Sequence, residues 1–465
     1  MEHMNVRINR LSLVNLKCVM SGSINFSATE TLRQEKSCVF GIYGQNGSGK
    51  TVVIEALSLV RSILSGRQIS ARYLDVIMFG KNNAILEIEF SIIGSRHTDC
   101  TAIYKCELEK RENPNETRSG VDFNNAKKSI ITITSESLMV AGFIHGVKYA
   151  QQYIARTDET MSLIKPKNKC RLLFGNDELT LKKLENQKII ALYGSRSFLF
   201  SDQAIEVIWK ECTCDFKLII NDIRFFAIAR LFIVGGETQN DIPFPFNFVI
   251  ESEEKGFCGQ IPFSLESKAI LPKDILTIFE AIIPPLNLVL ASMIPGLSVK
   301  YKSKEANLDE NDNNFEIELF ASRQQGDDFP LRNESLGIRK IISFLSLLIA
   351  TYNDSSYALV VDEFDSSIFE FLLGEIVGIL KDSGKGQFIF TSHNLRPLEK
   401  LDAPSICFTT TDSKNRYVKL KKKTTNNLRD IYFRVLSLGS NEFELYNGES
   451  KNAIAFALRQ AGLRE

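Results

Sequence analysis

The chain has 465 residues, 44% apolar and 24% charged, with 56 basic and 56 acidic side chains. This is a globular composition with room for two or three domains, and its neutral balance speaks against long nucleic-acid tracts, although a local patch can hide in a neutral total. Nine cysteines without a repeated C-x-x-C pair, four histidines, and Cys212-Thr-Cys214 at the wrong spacing for a zinc knuckle favour reduced thiols in a cytosol.

In chain order, Met1-Glu-His-Met-Asn-Val-Arg-Ile lacks the apolar core of a signal peptide, so a cytoplasmic protein is expected. Val6–Phe26 alternates apolar and polar residues and predicts strands at a sheet edge. Next comes Gly44-Gln45-Asn46-Gly47-Ser48-Gly49-Lys50-Thr51, which fits G-x-x-x-x-G-K-[ST] at every fixed position. It lies between an apolar run at residues 37–43 with strand character and a segment from Thr51 with helical spacing. That setting suits a triphosphate at a helix N-terminus. Gly44, Asn46, Gly47, Ser48 and Gly49 would direct backbone N–H groups at phosphate oxygens, Lys50 would reach the β/γ-phosphates, and Thr51 would hold Mg²⁺. The alternative, a decorative glycine turn, does not need the flanking strand and helix.

Two antiparallel strands are expected at Ala84–Ile93 and Thr101–Leu108, followed by a turn-rich segment from Glu112. From about Thr157 to Thr238 the periodicity is mostly helical without sustained heptads, which predicts an inserted helical subdomain and no coiled-coil arm. The apolar stretch Ile275–Val299 is interrupted by Glu280, Pro284, Pro285 and Pro295, and reads as a buried helix with a Pro-Pro turn rather than a bilayer span. Ser303–Asn314 is a polar, acidic loop. Beyond it a βαβ pattern emerges: helix Leu336–Ala350, strand Ala358–Val361, helix Ser367–Leu380, then strands at Gln387–Phe390, Ile406–Thr409 and Tyr417–Leu420.

Four segments of this last third match the phosphate loop. Strand Tyr357–Val361 ends in Asp362, placed to hold Mg²⁺ through water, and Glu363, placed to orient and deprotonate a water; a solvated acidic turn is the plain alternative. The strand Phe388–Ser392 ends in His393, near the γ-phosphate in this reading or structural in the other. Ser335-Leu-Gly337-Ile-Arg339-Lys340 opens an apolar helix, where Asn333 or Ser335 could equally be a simple cap. Asp365 belongs to the loop after Glu363, expected at a subunit contact.

Together these residues resemble the ATP-binding cassette class of ATPases: Walker A at Gly44–Thr51, a signature at Ser335–Lys340, Walker B ending at Asp362-Glu363, a D-loop behind it and a switch histidine at His393. Phe364-Asp365-Ser366-Ser367, Thr391-Ser392-His393-Asn394 and the start Leu13–Lys17 are similar to the soluble branch with SMC, RecF and OLD-type proteins. No Q-loop glutamine is assigned. The resemblance implies an α/β P-loop NTPase of ABC-ATPase type, a mixed sheet flanked by helices with a helical insertion subdomain. Expected divisions are 1–110 (first ATPase half), 111–314 (inserted, mostly helical), 315–425 (second half) and 426–465 (C-terminal helical tail). It also implies ATP and Mg²⁺ as cofactors, and a homo-oligomer in which Ser335 and Gly337 complete a nucleotide site in trans. Hydrolysis would then be slow and dependent on assembly.

About seventy residues follow His393, fewer than a Toprim nuclease domain needs, so a nuclease would be a separate chain. In size and architecture the chain resembles ATPase subunits of two-gene anti-phage systems, nearest the PARIS ATPase component with its Toprim partner, with Septu-type ATPases similar in outline. This implies a sensor and scaffold that holds a separately encoded nuclease, answers a phage protein and causes abortive infection, without a membrane. The alternative is an SMC/RecF-like DNA-binding ATPase of repair or chromosome maintenance, with Lys419–Lys423 as a phosphate-contacting patch or merely a lysine-blunted strand edge. Asn452–Leu463 reads as an amphipathic helix that docks on its own subunit or on a partner.

Overall fold

The computed structural model describes residues 4–26, 28–112, 129–160, 162–235, 245–252, 257–306, 314–324, 326–419, 428–430, 432 and 451–462. Alternation in the N-terminal region builds β1 (Asn5–Leu16) and β2 (Val19–Asn25). After α1 (Ala28–Arg33), β3 (Cys38–Tyr43) and α2 (Lys50–Leu64) come β4 (Asn83–Gly94), β5 (Thr98–Glu112), β6 (Ser129–Ile144) and β7 (Val147–Asp158). These form an antiparallel sheet in the order β2-β1-β4-β5-β6-β7. Of the two N-terminal strands only β2 lies at an edge, the other edge being β7. β1 is interior because Val6, Ile8, Leu11 and Leu13 bury one face while both neighbours use its backbone.

Four helices follow: α3 (Lys167–Phe174), α4 (Glu178–Tyr193), α5 (Asp202–Glu211) and α6 (Phe216–Phe225). A π-helical turn, Phe226–Arg230, runs directly into β8 (Leu231–Val234). β9 (Pro245–Ser252) and β10 (Phe257–Ser264) make a hairpin. Then come β11 (Ala269–Pro272), α7 (Lys273–Met293), β12 (Leu297–Glu305), β13 (Asn314–Arg323) and β14 (Phe329–Pro330), in which β13 pairs with the other three strands. The last part comprises α8 (Leu336–Asn353), β15 (Ala358–Val361), α9 (Glu370–Ser383), β16 (Gln387–Ser392), β17 (Ile406–Thr409), β18 (Tyr417–Val418) and a C-terminal helix, α10 (Lys451–Gly462).

The second large sheet has the order β18-β17-β3-β16-β15-β8. Five of its strands are parallel and β18 closes the edge antiparallel. β3, β15, β16 and β17 are buried along their whole length, as continuous apolar runs covered on both faces must be. Their carboxyl ends therefore open at one rim, where parallel α/β sheets place ligands. The two sheets are tied by polar pins: the Gln387 amide bonds both Ile8 backbone groups at 2.8 and 3.0 Å, and the buried Arg7 guanidinium donates to Lys36 O at 2.7 Å.

Three expectations need correction. The described residues between 111 and 314 are not mostly helical: α3 to α6, the π-helical turn and α7 lie there, whereas β6 and β7 complete the first sheet and β8 to β12 follow. The nucleotide fold is not confined to the two ends, because β8 from the middle pairs in parallel with β15. A four-residue apolar run directly after a helix carries no period that separates it from that helix. The Pro-Pro turn is absent, since α7 continues through Pro284 and Pro285 with Leu276, Phe279, Ile283, Leu286 and Leu290 buried along one stripe. By length and composition α7 and α8 each reach what a bilayer crossing requires, while α8 buries Ile342, Phe344, Leu345 and Leu347 in the core.

Candidate functional site

At the rim, β3 hands over to the phosphate loop and α2. Gly44 has no alternative: a Cβ there would lie 1.7 Å from Thr409 Oγ1, at the end of the neighbouring β17. Gly49, in the left-handed region, caps α2 without any side-chain hydrogen bond, so the first N–H groups of a largely buried helix are left for another acceptor. Ser48 Oγ donates to Gln45 O at 2.6 Å, and Tyr417 Oη to Gly49 O at 3.0 Å, fixing the loop from both sides. Asn46 and Gly47 are exposed at its tip, and Thr51 is half-buried at the start of the helix.

Lys50 is buried, with its ammonium held by Gly44 O and Gln45 O at 2.9 Å each. Burial pulls its pKa below the ordinary lysine value, and Asp362, Glu363 and Asp365 pull it back up. Those three carboxylates come from the loop after β15, so loop and acidic pair share one field.

Asp362 is buried at the tip of β15, its N–H bonded to Val234 O of β8 at 2.8 Å. Its Oδ1 accepts the Thr391 hydroxyl at 2.5 Å and the Glu363 N–H at 3.1 Å, while Thr391 Oγ1 also accepts the Glu363 N–H at 2.7 Å. Glu363 is exposed, with φ +45°. A left-handed glutamate costs about 1 kcal/mol or more, and this hydroxyl–carboxylate pair holds it there. Asp365 Oδ2 accepts the N–H groups of His393 and Asn394 at 3.0 and 2.8 Å, while its buried Oδ1 has no hydrogen-bond partner. His393 is exposed beyond β16. Partial desolvation of the ring and the Lys50 charge lower its pKa, against Asp365, Glu363 and Asp362.

Ser335 caps α8, accepting Ile338 N–H at 3.4 Å, so the capping alternative is realised in the geometry. It is exposed all the same, as is Leu336. Gly337 is pressed onto the loop after Glu363, where a Cβ would meet Ser367 O at 2.0 Å. Lys340 donates to Glu363 O. No hydrogen bond among the described residues joins Ser335 or Gly337 to Gly44–Thr51. One chain thus gathers Gly44–Thr51, Asp362, Glu363, Asp365 and His393, and leaves the tip of α8 facing outward. Sequence reasoning missed Thr391 as the clamp on Asp362-Glu363 and Thr409 as the wall behind Gly44. Thr391 was visible in the Thr-Ser-His-Asn run, whereas Thr409 has no signal beyond closing an apolar strand.

Two family models match the chain: "AAA domain" over residues 10–219, and "AAA domain, putative AbiEii toxin, Type IV TA system" over residues 262–399. No curated protein matches. Similar solved structures include an SMC head bound to the C-winged helix domain of ScpA, at 16% identity, 90% of this chain, 98% of that one and TM-score 0.43. The SMC head domain from Thermotoga maritima is similar at 14% identity, 90% and 100% coverage and TM-score 0.35. One from Pyrococcus furiosus, with an extended coiled coil and bound to the C-terminal domain of ScpA, has 15% identity, 94% and 100% coverage and TM-score 0.42. The first matched segment contains Gly44–Thr51 and the second contains Ser335–Lys340, Asp362, Glu363 and His393, and the parallel sheet with the phosphate loop at its rim is that of an α/β P-loop NTPase fold.

Proposed function

We propose that the chain binds ATP with Mg²⁺ at this rim, hydrolyses it slowly as an assembled homo-oligomer, and serves as sensor and scaffold for a separately encoded nuclease in anti-phage defence. The observation that carries the ATPase reading is the convergence of Lys50, Asp362, Glu363 and His393 from three different strand ends. The residues suit the ligand: an uncapped helix N-terminus, a glycine cradle that a Cβ would fill, and oxygen donors for a hard cation. Thr51 and Asp362 would hold Mg²⁺, which neutralises charge on the phosphates. Backbone N–H groups of Gly44–Thr51 bind the triphosphate, and Lys50 exchanges its two carbonyl contacts for phosphate oxygens. Glu363 orients the attacking water and takes its proton. His393, neutral at pH 7 because its pKa is lowered, accepts or relays a hydrogen bond at the γ-phosphate side. Ser335 and Gly337 of one subunit close over the loop of another.

The defence role is supported by one matched description, which names a putative toxin of a type IV toxin–antitoxin system over the segment that contains α8 and β15. The DNA-clamp reading has less to rest on: Lys419 donates to Pro404 O at 2.8 Å, and residues 420–423 lie outside the described residues. Co-expression with the neighbouring reading frame decides between the two. A Toprim-type nuclease that co-purifies, inert until a phage protein is added, is the expected result. A chain that recovers no nuclease and binds duplex DNA with an affinity falling steeply in salt overturns it.

A further inference from the structure

The junction between α5 and α6 carries chemistry that the nucleotide site does not use. Cys212 closes α5, its N–H bonded to Ile208 O at 2.9 Å, and Cys214 stands just before α6. The two sulfurs are 3.3 Å apart, Cys212 buried and Cys214 half-buried. We propose that Cys212 and Cys214 are a hydroperoxide-responsive dithiol, with Cys214 as the attacking sulfur and Cys212 as the resolving one, closing reversibly to a disulfide.

The surroundings divide the roles. The two thiols share a hydrogen bond, the Phe216 N–H at the start of α6 points at the Cys214 sulfur, and the Lys169 ammonium, 4.5 Å above the Phe216 ring, adds positive potential. In that order these lower the Cys214 pKa to about 6, while the same hydrogen bond and burial push Cys212 up. Asp215, the next residue in the chain, is engaged by His145 at 3.2 Å. The remaining described cysteines lack this combination. Burial raises the thiol pKa values of Cys38, Cys100, Cys106, Cys170 and Cys407, and Cys18 is exposed. A low-pKa, reachable thiolate beside a second thiol is the arrangement that peroxides oxidise selectively.

The chemistry balances with hydrogen peroxide as co-reactant. The Cys214 thiolate attacks one peroxide oxygen, the O–O bond breaks, and the departing oxygen takes up a proton as water, leaving a sulfenic acid. Cys212 then attacks that sulfur, the S–S bond forms, and hydroxide leaves with the Cys212 proton as a second water. The sulfurs lose two electrons in all and the peroxide gains them. A disulfide spanning a single residue is strained, and strained disulfides are the easily reduced ones.

The reduced full chain, treated with a few equivalents of hydrogen peroxide and digested with trypsin, provides the test. The peptide from Glu211 to Lys217 holds both cysteines. It is expected to lose two hydrogen masses and regain them with dithiothreitol, before Cys18 reacts. Cys212→Ser should stop at a sulfenic acid that dimedone captures on Cys214, and Cys214→Ser should leave the peptide unoxidised. Alkylation of Cys214 should reach half its maximal rate near pH 6. A wild-type peptide that stays reduced while Cys18 oxidises, or dimedone captured on Cys212 in Cys214→Ser, overturns the assignment.

Discussion

Two glycine-containing turns meet at the nucleotide rim, and they are finished to different degrees. Gly44–Thr51 is closed by its own chain: Lys50 and Ser48 bond back to the loop, Thr409 walls Gly44, and Tyr417 ties down Gly49. Ser335–Lys340 is anchored from behind, through Gly337 on Ser367, Arg339 on Glu266 and Lys340 on Glu363 O, while its Ser335 and Leu336 face solvent. The phosphate-binding half is preorganised, and the other half is presented outward. A site shared between subunits is the arrangement this contrast favours.

Substitutions that break one half and spare the other sharpen the contrast. Lys50→Ala should cost the most, about 100-fold or more in ATP turnover with the fold intact, since it removes a charge aimed at the transferring phosphoryl group. Unchanged turnover would reduce the loop to a glycine turn. Gly337→Ala comes next. Its Cβ would overlap Ser367 O, so α8 must shift, costing about 1–3 kcal/mol in thermal unfolding and lowering turnover further than that loss explains. A variant equal to the parent in both would leave Ser335–Lys340 as a helix cap alone. Thr391→Val removes the hydroxyl that joins Asp362 to Glu363 N–H, and should cost about 1–3 kcal/mol of stability and raise the Mg²⁺ needed for half-maximal turnover.

The smallest effect is in proton binding. His393 should titrate below the ordinary histidine value, and Lys50→Ala should raise its midpoint because the Lys50 charge is one cause of the lowering. The sign for stability follows: between the folded and the ordinary pKa the unfolded chain binds more protons, so stability falls as pH drops through that window. Imidazole chemical shifts against pH check both; a midpoint above the ordinary value contradicts the field described at the rim.

The rim was legible because its chemistry demands fixed spacing. A phosphate loop needs glycines at set offsets, and β15 and β16 are short apolar runs closed by polar residues that an apolar core alone would not require. β15 and β17 begin and end at the expected residues, and α8 starts where expected. What stayed hidden depends on tertiary pairing. β8 looks like the end of a helix until β15 offers it a partner, and β6 and β7 join a sheet whose first strand lies more than a hundred residues earlier. Pro284 and Pro285 read as a turn because local chemistry says so, yet the buried stripe of α7 outweighs two lost backbone donors. Thr391 acts only through geometry, since hydroxyl and acidic pair are distant in sequence.

The shared site is tested most directly by mixing two inactive proteins. Lys50→Ala alone and Ser335→Arg alone should each lose turnover. An equimolar mixture that exchanges subunits should recover about a quarter of the parent rate in a two-fold dimer, because half the dimers then hold one intact loop facing one intact α8 tip. A mixture that stays inactive despite subunit exchange, or a Ser335→Arg protein as active as the parent, would show that each chain completes its own site.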